Sequence, residues 1–302
     1  MVTMKLGLVG LGRMGSNMRE RLRDRGHEVI GYDPDISVSD VDSLEALIEA
    51  LPTPRILWVM VPAGGATRSV IGRLGHLLAT GDLVVEGGNG RFTDDREHAE
   101  LLAEAGVRYV DCGVSGGVWG RHNGYAVMAG GADADIERLL PIFDALRPDG
   151  ERADSFVHAG PVGAGHYAKM VHNGIEYGLM QAYAEGYELL AAEDTITDVP
   201  AVLRAWSKGT VVRSWLLDLL VRAVAEDPEL ATISGYTEDS GEGRWTVEEA
   251  IAHAVPVPVI SAALFARFAS RQTDSPAMKA VSALRNQFGG HTVRQSATAR
   301  VR

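Results

Sequence analysis

Cysteine is almost missing from this chain: Cys112 is the only one in 302 residues. No internal disulfide can form, and a reducing compartment is expected. Long apolar runs are missing too. No stretch approaches the roughly 18 apolar residues of a membrane span. The opening Lys5-Leu6-Gly7-Leu8-Val9 lacks the apolar stretch of a secretory signal, so a cytoplasmic protein with no membrane partner is expected. Basic residues are in deficit, 29 against 40 acidic, for a net charge of −11. That balance argues against nucleic acid as a partner, although a local basic pocket for a small anion is compatible with an acidic exterior. Histidines and carboxylates do not cluster at metal-ligand spacing, and no metal is expected.

Glycine, by contrast, is abundant at 35 residues, and many stand in short clusters where backbone must turn tightly or approach a ligand. The first half alternates short β-rich runs with helical patterns. Strands are expected at 6–9, 28–32, 56–61, 83–86, 108–110, 125–129 and 156–158, with helices at 14–25, 93–105 and 134–146 between them. This alternation implies a mostly parallel sheet covered by helices. After Gly160-Pro161 strand signals almost disappear. One long helical pattern runs from Gly165 to about Ala192, and further ones cover 199–206, 211–225 and 260–270; 238–243 has the texture of a polar loop. The expected architecture is an α/β Rossmann-type domain over 1–161, followed by an all-α domain over 162–302.

Gly10-Leu11-Gly12-Arg13-Met14-Gly15 follows the first strand and opens the first helix. In that context a GxGxxG string suits a dinucleotide. The first two glycines permit the turn and the approach of pyrophosphate, the third permits helix–strand packing, and the helix N-terminus favours the anion. Asp33 closes the second strand, where a carboxylate would bond the adenosine ribose. It would repel a 2′-phosphate, and Pro34 rather than a basic residue follows, so NAD is favoured; Arg13 leaves NADP possible. Val61-Pro62-Ala63-Gly64 and Glu86-Gly87-Gly88-Asn89 follow two more strands and would line the same crevice.

Lys169, His172, Asn173 and Glu176 stand at i, i+3, i+4 and i+7, which puts them on one helical face. Lys169 and Glu176 are then separated by roughly 10 Å of axial rise. A solvated polar stripe would need no uncharged His-Asn pair. Nor would it need Gly174 and Gly178, each of which costs a helix interior about 1 kcal/mol. Close packing of a ligand or neighbour would require them.

The chain resembles the 6-phosphogluconate dehydrogenases over nearly its whole length. The resemblance rests on GLVGLGRMGSNM, EGGNG, VDCGVSGGVWG, HAGPVGAGHYAKMVHNGIEYGLMQAYAEGYELL, VVRSWLLDLL, SGEGRWT, LFARFASR and RNQFGGH. Its length and the GLGRMG loop resemble the short, NAD-preferring branch. The wider β-hydroxyacid dehydrogenases share the glycine loop, a serine-glycine-glycine turn and the helix lysine. His172 and Glu176 point to the phosphogluconate enzymes within that group.

The resemblance implies oxidation and decarboxylation of 6-phosphogluconate to ribulose 5-phosphate without a metal. By carry-over Lys169 is the base toward the C3 hydroxyl and must be neutral when substrate binds; once protonated it assists CO2 loss, and Glu176 then protonates C1. Asn89, Ser115, Gly116, Gly117, His172 and Asn173 would hold hydroxyls and carboxylate. Tyr177, Arg244, Thr246 and Arg267 would hold the phosphate, with Arg244 standing where many relatives have lysine. Arg285 and His291 match residues that the family supplies from a neighbouring subunit, implying at least a homodimer. Glu86 replaces the usual aspartate before GGN, and Cys112 precedes the glycine turn as a small buried side chain. Two alternatives stand beside this reading: a β-hydroxyacid dehydrogenase for a small unphosphorylated acid, and a non-catalytic dinucleotide sensor.

Overall fold

The computed structural model describes residues 2–294, and all that follows concerns those residues. In chain order the first part holds β1 (Lys5–Val9), α1 (Arg13–Asp24), β2 (Glu28–Tyr32), α2 (Leu44–Glu49), β3 (Ile56–Val59), α3 (Gly65–Leu77) and β4 (Leu83–Glu86). It continues with α4 (Phe92–Ala103), β5 (Arg108–Ser115), the single turn α5 (Gly120–Asn123), β6 (Ala126–Gly130), α6 (Asp133–Leu146) and β7 (Phe156–Gly160). Helices follow: α7 (Ala164–Ala191), α8 (Val199–Gly209), α9 (Trp215–Glu226), α10 (Glu242–Ala252), α11 (Pro258–Ser270) and α12 (Pro276–Gly289).

The chain falls into two compact units. The first comprises Met1–Ile175 with Arg244–Glu249, and the second Glu176–Gly243 with Ala250–Arg302. In the first, seven strands form one sheet in the order β2-β1-β3-β4-β5-β6-β7. All pair in parallel except β5 with β6. The sheet is buried on both faces, which is why β3 and β4 are continuous apolar runs rather than alternating ones. Trp58, Val85 and Val110 join Met18, Leu22 and Phe143 in one core cluster. Their neighbours Leu57, Val84 and Tyr109 join Leu47, Ile71 and Leu102 in another. The two-residue period of a strand sorts them.

Strand order reverses between β1 and β3, so the loops leaving their carboxyl ends open the crevice where such sheets bind ligands. The fifth strand differs from the sequence expectation. It extends to Ser115 and pairs antiparallel with β6, from Asp111↔Gly130 to Ser115↔Ala126. Its glycines look like loop residues in sequence, yet Gly113 lies inside the strand because a helix packs directly on it.

In the second unit, α8 and α9 begin where side chains cap them. Asp198 accepts from Ala201 N (2.8 Å) and Ser214 from Leu217 N (3.0 Å). Ser214 therefore starts α9 four residues later than the sequence pattern suggests. Leu203, Leu217 and Val224 form its small core with Tyr183, Tyr187 and Leu190. The loop expected at 238–243 ends early, because α10 begins at Glu242. Among the described residues no helix is long and apolar enough to cross a membrane.

Candidate active site

The glycine loop fits a dinucleotide on the geometry of its own backbone. Gly10 has φ +95°, and a Cβ there would stand 2.6 Å from Met60 O. A Cβ on Gly15 would fall 1.9 Å from Gly10 O, so the start of α1 can lie against the loop only with glycine at that point. Gly12 is different: nothing lies within 4 Å of its Cβ position. That open space sits at the N-cap of α1, whose first turn carries no acidic residue to oppose an anion. Leu11, Arg13 and Met14 complete the turn into α1. Asp33 Oδ2 accepts from Leu11 N (2.7 Å) and Oδ1 from Asp35 N (2.9 Å), tying the end of β2 to the glycine loop. The loops of Val61, Pro62 and Ala63 after β3, and of exposed Asn89 after β4, leave the same end of the sheet.

The first turns of α7 are anchored by one carboxylate. Asp111 of β5 accepts from Gly163 N (2.6 Å) through Oδ1 and from His166 N (2.8 Å) through Oδ2, satisfying two donors that a helix start leaves open. Burial and the nearby Asp95 push its carboxyl up to about 6, while His166 and these two backbone bonds oppose the rise. Lys169, one turn on, is buried against β5: a Cβ on Gly113 would lie 2.4 Å from Lys169 Cβ and 2.8 Å from Gly165 O. Neither obstacle is the far end of a flexible side chain. Gly113→Ala is therefore expected to cost about 1–3 kcal/mol through overpacking and to lower turnover by displacing Lys169. Denaturant unfolding and kinetics on the same preparation check both effects; a variant of wild-type stability and rate would refute the close contact.

Beyond Lys169 the helix is continuous through His172, Asn173 and Glu176. His172 Nε2 lies 3.3 Å from Ser115 Oγ and its Nδ1 3.1 Å from Asn173 Oδ1, so three of the expected polar residues form one chain. Gly116 and Gly117, at φ +144° and +53°, turn the backbone away immediately after Ser115. Gly174 gives Thr246 room, since a Cβ there would stand 2.7 Å from Thr246 Cγ2.

Thr246 is buried and donates its hydroxyl to Met170 O (2.9 Å). Its proton serves α7, and Arg244, two residues earlier, is exposed. In the second unit, Arg267 lies 3.4 Å above the centroid of the Tyr177 ring, a cation–π contact, and donates to Glu238 O (3.1 Å). Tyr177 Oη takes Ser240 N at 3.1 Å. Ser240 is a neighbour of this pair that sequence reasoning missed. Arg285, on α12, and His291 are both exposed, with Asn286 Nδ2 donating to His291 O (2.9 Å) across the αL cap at Gly290. Cys112 is fully buried, and that burial pushes its thiol well above the ordinary range, as suits a packing residue.

A second group escaped the sequence altogether. Glu86, Asp95 and His166 are buried together, with ligand-type atoms within 4.8 Å of one another. They stand 9 and 71 residues apart, so no local spacing announces them. His166 Nδ1 lies 3.0 and 2.9 Å from the two Asp95 oxygens and 3.6 Å from Glu86 Oε2. Asp95 also accepts from Tyr109 Oη (2.8 Å), and Glu86 Oε1 accepts from Gly88 N (2.7 Å).

Comparison with known proteins covers nearly the whole chain. Residues 5–148 match the NAD binding domain of 6-phosphogluconate dehydrogenase, and residues 165–301 its C-terminal domain. A putative 6-phosphogluconate dehydrogenase of Bacillus subtilis is 41% identical over 299 residues, covering 95% of this chain and 98% of that one. The NAD(+)-dependent, decarboxylating enzyme of Haloferax volcanii is 40% identical over 302 residues, covering 96% and 98%. The solved Plasmodium falciparum 6-phosphogluconate dehydrogenase superposes with a TM-score of 0.79 at 26% identity, over 97% of this chain and 66% of that longer one. A Mycobacterium tuberculosis 3-hydroxyisobutyrate dehydrogenase, at 22% identity and a TM-score of 0.69 over 94% of this chain and all of that one, shares the fold. Matched end to end at 40% identity or more, the chain belongs to the 6-phosphogluconate dehydrogenase family.

Proposed function

We propose that this chain oxidises and decarboxylates 6-phosphogluconate to ribulose 5-phosphate and CO2, with NAD as electron acceptor. The observation that carries the reading is Lys169, buried against Gly113 at the start of a stripe that continues through His172 and Asn173 to Glu176. Residues 1–161 serve as the NAD-binding domain and 162–302 as the substrate and dimerisation domain. Gly10, Leu11, Gly12, Arg13, Met14 and Gly15 cradle the pyrophosphate, Asp33 takes the ribose, and Val61, Pro62, Ala63 and Asn89 border the nicotinamide half. Bound NAD supplies the hydride acceptor.

Neutral Lys169 takes the proton of the C3 hydroxyl as hydride leaves C3. The ammonium it becomes then donates a hydrogen bond to the C3 oxygen while the carboxylate departs as CO2, stabilising charge where it develops. Glu176 protonates C1 of the resulting enediol, which tautomerises to product. Asn89, Ser115, Gly116, Gly117, His172 and Asn173 orient hydroxyls and carboxylate. Tyr177, Arg244, Thr246 and Arg267 hold the phosphate, and Thr246 also ties α10 to α7.

Arg285 and His291 act in the site of a neighbouring subunit. Exposed apolar residues on the helical unit, among them Val259, Phe265 and Leu284, support such an interface. The compartment proposed is the cytoplasm.

The test is a steady-state assay with 6-phosphogluconate, run with NAD and NADP in parallel and with 3-hydroxyisobutyrate as competing substrate. Absence of both CO2 and pentose phosphate rejects the reading. Cofactor choice has its own check. Asp33→Asn keeps an acceptor for Leu11 N but removes the charge, so NAD kcat/KM should fall roughly tenfold while NADP gains relative to it. An unchanged NAD-to-NADP ratio would clear Asp33 of the discriminating role.

A further inference from the structure

The buried group of Glu86, Asp95, His166 and Asp111 takes no part in the steps above, yet it touches both structures that those steps depend on. Glu86 closes β4 and, through Gly88 N, fixes the turn that presents Asn89. A Cβ on Gly90 would stand 2.3 Å from Glu86 Oε2 and 2.9 Å from His166 Cε1, so the turn lies directly on the pair. His166 belongs to α7 three residues before Lys169, within one helical turn on a neighbouring azimuth. Asp111 anchors that turn from β5, and Gly113, two residues on and therefore on the same face of the strand, receives Lys169.

We propose that Glu86 and His166 are positioning residues, which lock the Asn89 turn and the first turns of α7 into one block and set the field in which Lys169 gives up its proton. The inference rests on the assignment of Lys169 as the base. His166 is the single cation among three buried carboxylates, and Asp95, Glu86 and Asp111 together hold its imidazole protonated, up to about 10, against a large opposing effect of burial. Burial raises Glu86 to about 7, so it changes charge near neutrality. The buried ionisable groups on the surrounding elements are Glu86 of β4, Asp95 and His98 of α4, and Tyr109, Asp111 and Cys112 of β5. The start of α7 contributes His166 and Lys169, and β6 carries none.

Opposite charge changes in the cage should therefore move Lys169 in opposite directions. Above about pH 7, where Glu86 is ionised, Glu86→Gln removes a negative charge and should carry the acid limb of kcat/KM to lower pH by about half a unit. His166→Gln removes the positive charge and should carry that limb to higher pH. In both, kcat should fall roughly tenfold, because the defect lies in the placement of Lys169.

His166→Gln leaves three uncompensated carboxylates and can fail to fold, but Glu86→Gln should not. Glu86 has a raised folded pKa, so its contribution to stability is present below its ordinary value and lost as pH rises through about 7. At pH 8 the glutamine should be no less stable than the wild type.

Carbamylation of Lys169 by cyanate, followed by peptide mass against pH, reads the same shift without turnover. If 6-phosphogluconate proves not to be the substrate, this measurement still decides the inference. Limbs that stay put or move the same way overturn it. So does a stoichiometric transition metal in the wild type that is lost from Glu86→Gln, since the group would then be a metal site.

Discussion

Lys169→Ala is expected to lower kcat on 6-phosphogluconate about a thousandfold while NAD still binds with wild-type affinity. The size follows from two roles held by one nitrogen. Removing a positioned base costs roughly 10²–10⁴ in rate, and the same group then assists departure of CO2, so neither half-reaction escapes. Lys169→Arg sharpens the result. Arginine keeps the positive charge and most of the length but cannot surrender a proton at working pH. It should be as inactive as alanine if proton removal is the essential act, and largely active if charge alone matters. Fluorescence titration with NAD shows whether the cofactor site survives. Near wild-type turnover in the alanine variant would end the assignment.

Glu176→Gln should separate the steps that Lys169→Ala abolishes together. Oxidation and CO2 loss do not need the acid, so stopped-flow absorbance should show one equivalent of NADH per site at near wild-type rate. Steady turnover should then be lower by about a hundredfold, because C1 waits for a proton from water. The amide is nearly the same size as the carboxyl, so packing along α7 is preserved. A variant with no burst would place Glu176 in the first half of the reaction. A variant with full steady turnover would remove it from the proton chemistry.

Much of the fold was legible because its signals are local. The glycine loop, Asp33 twenty-odd residues on and the alternation of short apolar runs with helices each depend on a few neighbouring positions, and β1, α1 and β2 stand where they indicate. The Lys169–Glu176 stripe was legible for the same reason, since helical periodicity converts spacing directly into a shared face. What depended on sheet neighbours was hidden. Gly113 looks like loop until β5 is seen to pair with β6 and to carry α7 on its back. Glu86 appeared only as an unusual residue before a glycine pair, because Asp95 and His166 arrive beside it from α4 and α7. The bond from Thr246 was hidden for a related reason: its partner is a backbone carbonyl 76 residues away, which no motif encodes.

The continuity of α7 from Ala164 to Ala191 has a consequence for how this sequence can drift. Seven residues of one unbroken helix act as a ruler between the group that opens the reaction and the group that closes it. Substitutions between the two leave the ruler intact. One inserted or deleted residue would swing Glu176 around the axis by about 100°, a full quarter-turn away from the face that Lys169 defines. Gene copies of this stretch should therefore tolerate exchanged letters on the outer face far better than any change in length.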